Sequence, residues 1–361
     1  METIKLLKVK AFYSRLQSIK YIWKKNCFIA LLMLFGFFLG VTIGCNKSKA
    51  KENKNVIKKS DSIKKKKAIS IDTNEYNKRM QVLYNSGAWL KLDVKTPYPL
   101  PGAVLPFKRV IAFYGNLYSR RMGILGQLPK YQMLKKLEEE VEQWQIADPN
   151  TTAIPALHYI AITAQSSPGK NGKYRLRMPF KQIDTIMSWA KSINAIVFLD
   201  VQVGQSTVEE EVNSLLKYLK YPNVHLGIDP EFAMKKGEVP GTKIGTLSSE
   251  DINKAITILQ AIVKENKLPP KILVVHRFTK PMVTDYKKIR LTSEVQIVMN
   301  MDGFGNKELK KSSYNMAISK EPVQFTGVKL FYKNDTQGKN RLYTPHELLK
   351  FTPKPIYIQY Q

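Results

Sequence analysis

Acidic side chains stand at the ends of three apolar runs of the sequence, where their types and spacing could carry acid–base chemistry. Asp229 and Glu231 close the run VHLGIDPE, Asp200 closes AIVFLD, and Asp302 follows EVQIVMNM. Because burying an unpaired carboxylate is costly, packing alone does not account for acids at these positions. Crowded carboxylates raise one another's proton affinity, so one can stay protonated as a general acid while another stays ionised. That division of roles serves glycoside hydrolysis, and it predicts all four acids as catalytic residues.

Other polar and aromatic side chains fall at the same ends of the predicted strands and could bind a substrate. Residues two apart in a strand share a face, which puts Gln202 beside Asp200 and Asn300 beside Asp302. The alternative is structural, with each acid capping the next helix or pairing with a neighbouring Lys or Arg. The predicted substrate-binding residues are Tyr114, His158, Gln202, His276, Asn300, Tyr332 and Tyr360.

A metal-dependent hydrolase is the second enzyme class that these residues allow. The strand histidines His158 and His276, with the four carboxylates named above, offer nitrogen and oxygen ligands. No His-x-His or His-Glu-x-x-His string is present, so we predict no metal and no other cofactor, and keep this class as an alternative. A serine nucleophile has no support, because no Gly-x-Ser-x-Gly string is present.

The elements that must position these residues alternate along the chain. Short runs rich in β-branched and aromatic residues are separated by segments with helical periodicity, the pattern of parallel βαβ units. The strand runs are nearly continuous in apolar residues, as expected when both faces of a sheet are covered. The predicted strands are 109–116, 153–162, 194–202, 223–231, 271–278, 294–302, 326–332 and 355–361, and the predicted helices are 128–144, 180–193, 207–220, 248–267, 279–290, 306–319 and 344–351.

Eight strands with seven intervening helices are the count of a (β/α)8, or TIM-type, barrel of the α/β class. An open doubly wound sheet is the rival, but no Gly-rich phosphate fingerprint follows the first strand. The last predicted strand ends at Gln361, so the predicted barrel lacks a final helix, and we expect a helix within 73–90 to fill that place. In such barrels the active site lies at the carboxyl ends of the strands, where the residues above are placed.

The first 45 residues have the character of a targeting segment. A basic leader, Met1 to Lys25, precedes seventeen uncharged residues, Phe28 to Gly44, which are at the lower limit for a membrane-spanning helix. They end in TIGC, which resembles the bacterial lipobox and predicts lipid attachment at Cys45; an uncleaved membrane anchor is the alternative. In either case the basic leader is expected to stay on the cytoplasmic side of the membrane. We therefore expect a membrane-anchored protein of the cell envelope, facing the periplasm or the exterior.

The net charge of +29 is unevenly spread. Residues 1–67 hold 17 Lys and Arg against three acids, and 46–71 is a Lys-rich segment that we predict to be a disordered tether. Because the densest basic run lies in this tether and not on a folded face, we predict no nucleic-acid partner. The predicted organisation is 1–45 signal or anchor, 46–71 tether, 72–108 N-terminal helix and link, and 109–361 barrel.

The fourth predicted strand resembles the active-site strand of the family 18 glycosidases, the chitinase-like (β/α)8 enzymes. That strand ends in Asp-x-Glu, matched here by Asp229-Pro230-Glu231. Met299 and Asp302 in VMNMDGFG are similar to the family's Met-x-Tyr-Asp segment. The resemblance implies that Glu231 protonates the leaving oxygen and that Asp229 steadies the substrate's acetamido group.

Departures from that pattern keep a second function open. Gly227 stands where an upstream acid would be, Met301 replaces the supporting Tyr, and no Trp falls at the end of a predicted strand. We predict an exported, membrane-tethered, glycoside-hydrolase-like barrel that acts on a cell-envelope or environmental glycan. A lipoprotein barrel that binds a glycan or a protein without cutting it is the alternative, beside the metal-dependent hydrolase.

Overall fold

The computed structural model describes residues 70–85 and 96–361. The predicted targeting segment, Cys45 and nearly all of the Lys-rich tether lie outside the described residues, so the expectations placed on them stay predictions. Within the part that is described, no helix has both the length and the apolar character that crossing a membrane requires.

Eight parallel strands close into a barrel, which confirms the predicted fold class. Each strand pairs with the next along the chain, and the last pairs with the first, so that Phe113 lies opposite Tyr360 and Tyr114 opposite His158. A short antiparallel strand, Arg175–Arg177, extends the second barrel strand on its outer side. The barrel strands are β1 Lys108–Gly115, β2 Thr152–Ala164, β3 Ile196–Val201, β4 Val224–Ile228, β5 Lys271–His276, β6 Val295–Met301, β7 Phe325–Leu330 and β8 Tyr357–Tyr360.

Helices follow most of the strands, and five of the nine α-helices described begin with a side-chain cap. The best example is the long helix after β4, where the Ser248 side chain accepts from the Asp251 amide and the Asp251 carboxylate accepts from the Ser248 amide. This reciprocal arrangement is a capping box. The α-helices are α1 Thr73–Leu83, α2 Ile124–Gln127, α3 Lys130–Ala147, α4 Phe180–Ser192, α5 Val208–Asn213, α6 Leu216–Leu219, α7 Ser249–Asn266, α8 Lys307–Tyr314 and α9 Pro345–Leu348.

The connection between β5 and β6 differs from the prediction of a helix over 279–290. It consists of two 3-10 turns, Lys280–Met282 and Tyr286–Lys288, around a two-residue strand. Asp285 precedes the second turn with a left-handed backbone (φ 54°), which no α-helix contains. The prediction of an α-helix in this connection is therefore wrong.

The alternation of side chains along the strands divides the apolar residues into two cores. Leu157, Leu226 and Leu273 face outward and pack against the surrounding helices. Phe198 and Val274 face inward and fill the barrel itself. Side chains that project into the barrel near the carboxyl ends of the strands therefore pack on a layer of buried apolar residues.

Helix α1 closes the amino-terminal end of the barrel. Its Tyr76 and Met80 belong to the interior core, together with inward-facing strand residues. At the end of the helix, the carbonyl of Leu83 accepts from the amide of Lys354, and the hydroxyl of Tyr84 donates to the carbonyl of Gln324 at 2.7 Å. We expected this helix to occupy the place of an eighth outer helix, but it plugs the bottom instead, because its apolar side chains point into the interior.

Candidate active site

A cavity of 730 Å³ opens at the carboxyl ends of the strands. Its polar wall is formed by Tyr114, Gln202, Asp229, Glu231, Asp302 and Lys329. The lining also carries the aromatic side chains of Phe232, Phe278, Phe304 and Phe331. A concave site with an apolar wall and a few convergent polar groups is the usual form of a small-molecule site.

The three carboxylates of the polar wall come from the fourth and sixth strands. Asp229 directly follows β4, and its Oδ1 accepts from the amide of Glu231 at 3.1 Å, which starts the 3-10 turn Pro230–Phe232. This turn brings the Glu231 side chain to the cavity wall, where it is partly exposed, while Asp229 stays buried. Asp302 follows β6 and lines the same cavity. Three of the four predicted acids, Asp229, Glu231 and Asp302, therefore line one cavity.

Burial gives two of these carboxylates an unusually high proton affinity. The pKa of Asp229 lies well above its ordinary value because the group is desolvated and because Asp302, Glu231 and Asp200 add negative charge nearby. The pKa of Glu231 is raised as well, first by burial and then by Asp302. Glu231 thus combines a raised pKa with access to the cavity, as a general acid requires.

Asp200 does not line the cavity and lies beneath it, fully buried. The hydroxyl of Tyr114 donates to its Oδ2 at 3.0 Å, and the Nε2 atoms of His158 and His276 lie 3.1 Å and 3.3 Å from its Oδ1. Burial alone would raise the pKa of Asp200, but the two histidines outweigh it and hold that pKa well below its usual range. We predicted a catalytic role for this residue, but its carboxylate is enclosed by protein and lines no part of the cavity, so the structure does not place it in contact with a substrate.

The two interior histidines differ in charge because their surroundings differ. Burial lowers the pKa of His158 to about 4, against the opposing effect of Asp200. Burial also disfavours the charged form of His276, but Asp200 on one ring nitrogen and Asp302 Oδ2 on the other, at 3.3 Å, raise its pKa to about 10. His276 therefore carries a positive charge at neutral pH, and it links the buried Asp200 to Asp302 at the cavity wall.

Gly227 makes room for this buried group. A Cβ at this position would come within 2.3 Å of Asp200 Oδ1 and 2.5 Å of His158 Nε2, far closer than atoms can pack. The family 18 resemblance places an acid near this point of β4. In this chain the position must be a glycine because the side chains of β2 and β3 occupy the space.

Lys329, on β7, is a cavity residue that the sequence analysis missed. Its Nζ lies 3.6 Å from the centre of the Tyr114 ring, and the residue is almost fully buried. Burial lowers its pKa, whereas the surrounding acids, Asp302 and Asp229 foremost, act in the opposite direction. A lysine inside the otherwise apolar run TGVKLFY was the signal that could have revealed it.

The predicted substrate-binding residues divide into three groups. Tyr114 and Gln202 line the cavity, and the Gln202 amide donates to Asp229 Oδ2 at 3.4 Å. The side chains of His158, His276 and Asn300 are fully buried below it and reach no ligand directly. Their positions correct the predicted contact role, because the inward-facing positions one layer below the mouth are covered by the layer above.

Tyr332 and Tyr360 lie outside the barrel wall, contrary to the predicted role in binding. Their rings stack on each other with centroids 5.4 Å apart, between the strands and α3. The Tyr360 hydroxyl accepts from Trp144 Nε1 at 3.0 Å, and the Tyr332 hydroxyl donates to Glu140 at 2.6 Å. Because the inward positions of β8 are Tyr357 and Gln359, Tyr360 must face outward.

Comparisons with known proteins add little to this geometry. No protein-family profile and no curated protein matches the chain. Among solved structures it is similar to the cellulase Cel5C_n (TM-score 0.38, 10% identity, covering 70% of this chain and 75% of that one) and to the cellulose synthase subunit Z of Clostridioides difficile (0.37, 11%, 70% and 92%). A third is Bacillus subtilis mannanase man26 (0.36, 11%, 81% and 86%). Likenesses this weak carry no argument about activity, and the resemblance to family 18 stays a prediction.

Proposed function

We propose that the chain hydrolyses glycosidic bonds, with Glu231 as the general acid. The observation that carries the proposal is the pairing, in one cavity, of a partly exposed acid of raised pKa with a second carboxylate, Asp302. Glycoside hydrolysis requires such a pair of carboxyl groups in unlike environments.

The residues of the polar wall divide the work. Glu231 gives its proton to the glycosidic oxygen as the bond to the anomeric carbon breaks, and a water molecule then adds to that carbon and returns a proton to the Glu231 carboxylate. Asp302, whose Oδ2 lies 3.3 Å from His276 Nδ1, lines the same cavity, and its carboxylate stabilises the positive charge that develops at that carbon. Lys329 and Gln202 stand where they can donate hydrogen bonds to sugar hydroxyls. The phenylalanines of the cavity lining, Phe278 and Phe304 among them, offer apolar faces to the sugar ring.

A metal-dependent hydrolase is less well supported by this geometry. Hydrolysis at a metal requires that the ion touch the substrate. His158, Asp200 and His276 are the described residues whose ligand atoms gather closely enough to bind one. None of the three lines the cavity.

The place of action is part of the same proposal. The basic leader, the apolar segment and Cys45 support a lipid-anchored or membrane-anchored protein whose barrel faces away from the cytoplasm. A glycan of the cell envelope or of the surroundings is then the accessible substrate. Labelling of the expressed chain with a radioactive fatty acid, and loss of the label in Cys45→Ala, would test the anchor.

Turnover by Glu231→Gln tests the proposal. Polysaccharides and oligosaccharides of several linkages are incubated with the full chain, and new reducing ends are counted. We expect turnover by the native chain, a loss of at least about 100-fold in Glu231→Gln, and sugar affinity that is unchanged within a few-fold. Glu238→Gln, in the same connection but outside the cavity, is the matched control and should retain activity. If the native chain binds a glycan and never cleaves it, the non-catalytic alternative is correct.

The pH dependence gives a second check. Glu231 must be protonated to act, so turnover should fall as the pH rises through its raised pKa. A rate that increases on that side would show that Glu231 is not the acid.

A further inference from the structure

Three ligand atoms converge in the barrel interior, one layer below the cavity. They are His158 Nε2, Asp200 Oδ1 and His276 Nε2, all within 4.8 Å of one another. We propose that they bind one divalent transition-metal ion of the Zn²⁺ type. This site is separate from the acid–base pair and does not depend on the proposed glycosidase activity.

The distances among the three atoms suit a shared ion. The two imidazole nitrogens lie 3.1 Å and 3.3 Å from the same carboxylate oxygen. Two ligands on a tetrahedral zinc ion, each about 2.0–2.1 Å from the metal, are about 3.3 Å apart. These two nitrogen–oxygen distances are therefore already close to the spacing of two ligands on one ion.

The outer contacts of the two histidines have the form that metal-binding histidines usually show. His158 Nδ1 lies 2.5 Å from the Tyr357 hydroxyl, and His276 Nδ1 lies 3.3 Å from Asp302 Oδ2. Such contacts on the remote ring nitrogen fix the tautomer, and the His276 Nε2 binds the ion after releasing its proton. The second oxygen of Asp200 is also held, by the Tyr114 hydroxyl.

One of the three ligand atoms lacks a hydrogen bond in the structure. His276 is fully buried, and its Nε2 makes none, because the 3.3 Å approach to Asp200 is poorly aligned. A buried ring nitrogen whose ion-pair contact makes no aligned hydrogen bond is incompletely satisfied, and an ion between it and Asp200 would complete its contacts. Gly227, where any side chain would strike Asp200 and His158, keeps the space open.

The donor atoms indicate the class of metal. Two imidazole nitrogens and one carboxylate oxygen favour zinc and its first-row neighbours over calcium and magnesium, which prefer oxygen ligands throughout. The ion would lie under the floor of the cavity, and through His276 Nδ1 it would fix the orientation of Asp302. It would thus be a structural ion that positions the site above it.

His225 provides a matched control. It is also a buried inward-facing histidine whose Nε2 makes no hydrogen bond. Its Nδ1 accepts from the Ile272 amide at 3.1 Å, and it is not part of the converging group. If an unpartnered buried histidine were enough to bind a metal, both positions would respond alike.

The experiment uses the full chain, purified without a polyhistidine tag because the chain has only four histidines of its own. The metal is removed with a chelator, and Zn²⁺ is returned in competition with a chromophoric chelator, with metal content read by mass spectrometry. We expect about one Zn²⁺ per chain, at least about a 100-fold weaker affinity in His276→Gln, and no change beyond about threefold in His225→Gln. Asp302→Asn should weaken binding about 10- to 100-fold through the outer contact. Mg²⁺ and Ca²⁺ should not compete.

An anomalous-scattering map of native crystals at the zinc edge needs no variant and covers the case in which a variant does not fold. A peak between His158, Asp200 and His276 would support the site. Native protein that takes up no Zn²⁺, equal losses in the two histidine variants, or a peak elsewhere would overturn it. None of these results depends on glycan turnover, so the two proposals can fail separately.

Discussion

Adding one methyl group at Gly227 should disrupt the centre of the barrel. In Gly227→Ala the new Cβ would lie 2.3 Å from Asp200 Oδ1, whereas ordinary contact begins at 3.4 Å. The carboxylate would have to move by about 1.1 Å, the difference between these two distances. It has no free direction, because Tyr114, His158 and His276 hold it from different sides.

The cost follows from the hydrogen bonds that this movement breaks. The contacts of 3.0 Å to Tyr114 and 3.1 Å to His158 would both lengthen beyond bonding distance. Hydrogen bonds to a charged group are worth about 1.5–3 kcal/mol each, and overpacking of a core costs about 1–3 kcal/mol. Allowing for partial relaxation, we expect the free energy of unfolding to fall by about 3 kcal/mol. The melting temperature should fall by roughly 5 °C.

Gly303→Ala is the matched control for this measurement. The same methyl group is added at the same end of the barrel, but its nearest neighbour is Phe278 Cβ at 3.0 Å. Phe278 is only half-buried at the rim and can give way, so we expect a loss below about 1 kcal/mol. Urea unfolding followed by circular dichroism measures both variants. A loss in Gly227→Ala that is no larger than in Gly303→Ala would refute the described packing of Asp200 against β4.

Two further predictions concern the cavity wall and the outer face of the barrel. Lys329→Met removes a cation that lowers the pKa of Glu231, so the pH at which activity declines on the alkaline side should move upward. Lys311→Met, a change at an exposed position, should leave that pH unchanged. If the alkaline decline in Lys329→Met stays at the same pH or moves to a lower one, the described electrostatics is contradicted. Tyr360→Phe deprives the Trp144 indole of its acceptor and should cost about 1–3 kcal/mol of stability in urea unfolding. It should leave glycan binding unchanged, and weakened binding with intact stability would place this tyrosine at the ligand after all.

The fold could be predicted because its pattern is repeated along the whole chain. Eight apolar runs separated by amphipathic segments leave few arrangements, and the structure places a barrel strand at each run. Local exceptions were harder to predict. The connection after β5 has enough apolar residues for a helix, but the left-handed Asp285 and the adjacent turns reflect tertiary contacts with the strand residues 247–248.

The alternation along a strand predicts which side chains face the barrel interior. It does not predict how far below the cavity each of those side chains lies, and that distance decides whether a ligand can reach it. Alternation placed Gln202 on the cavity side of β3, as expected. It could not tell that Asp200, two residues earlier, lies one layer lower and is covered. For β8 the sequence alone did not show which of the alternating tyrosines and glutamines faces inward, so Tyr360 was chosen where Tyr357 projects into the interior.

The most direct test of the central claim is a crystal structure of Glu231→Gln with a bound oligosaccharide. The account predicts a sugar in the 730 Å³ cavity, with a glycosidic oxygen at about 2.6–3.2 Å from the substituted side chain. The anomeric carbon should lie beside Asp302. Clear density for the sugar at another surface, with the cavity empty, would contradict it.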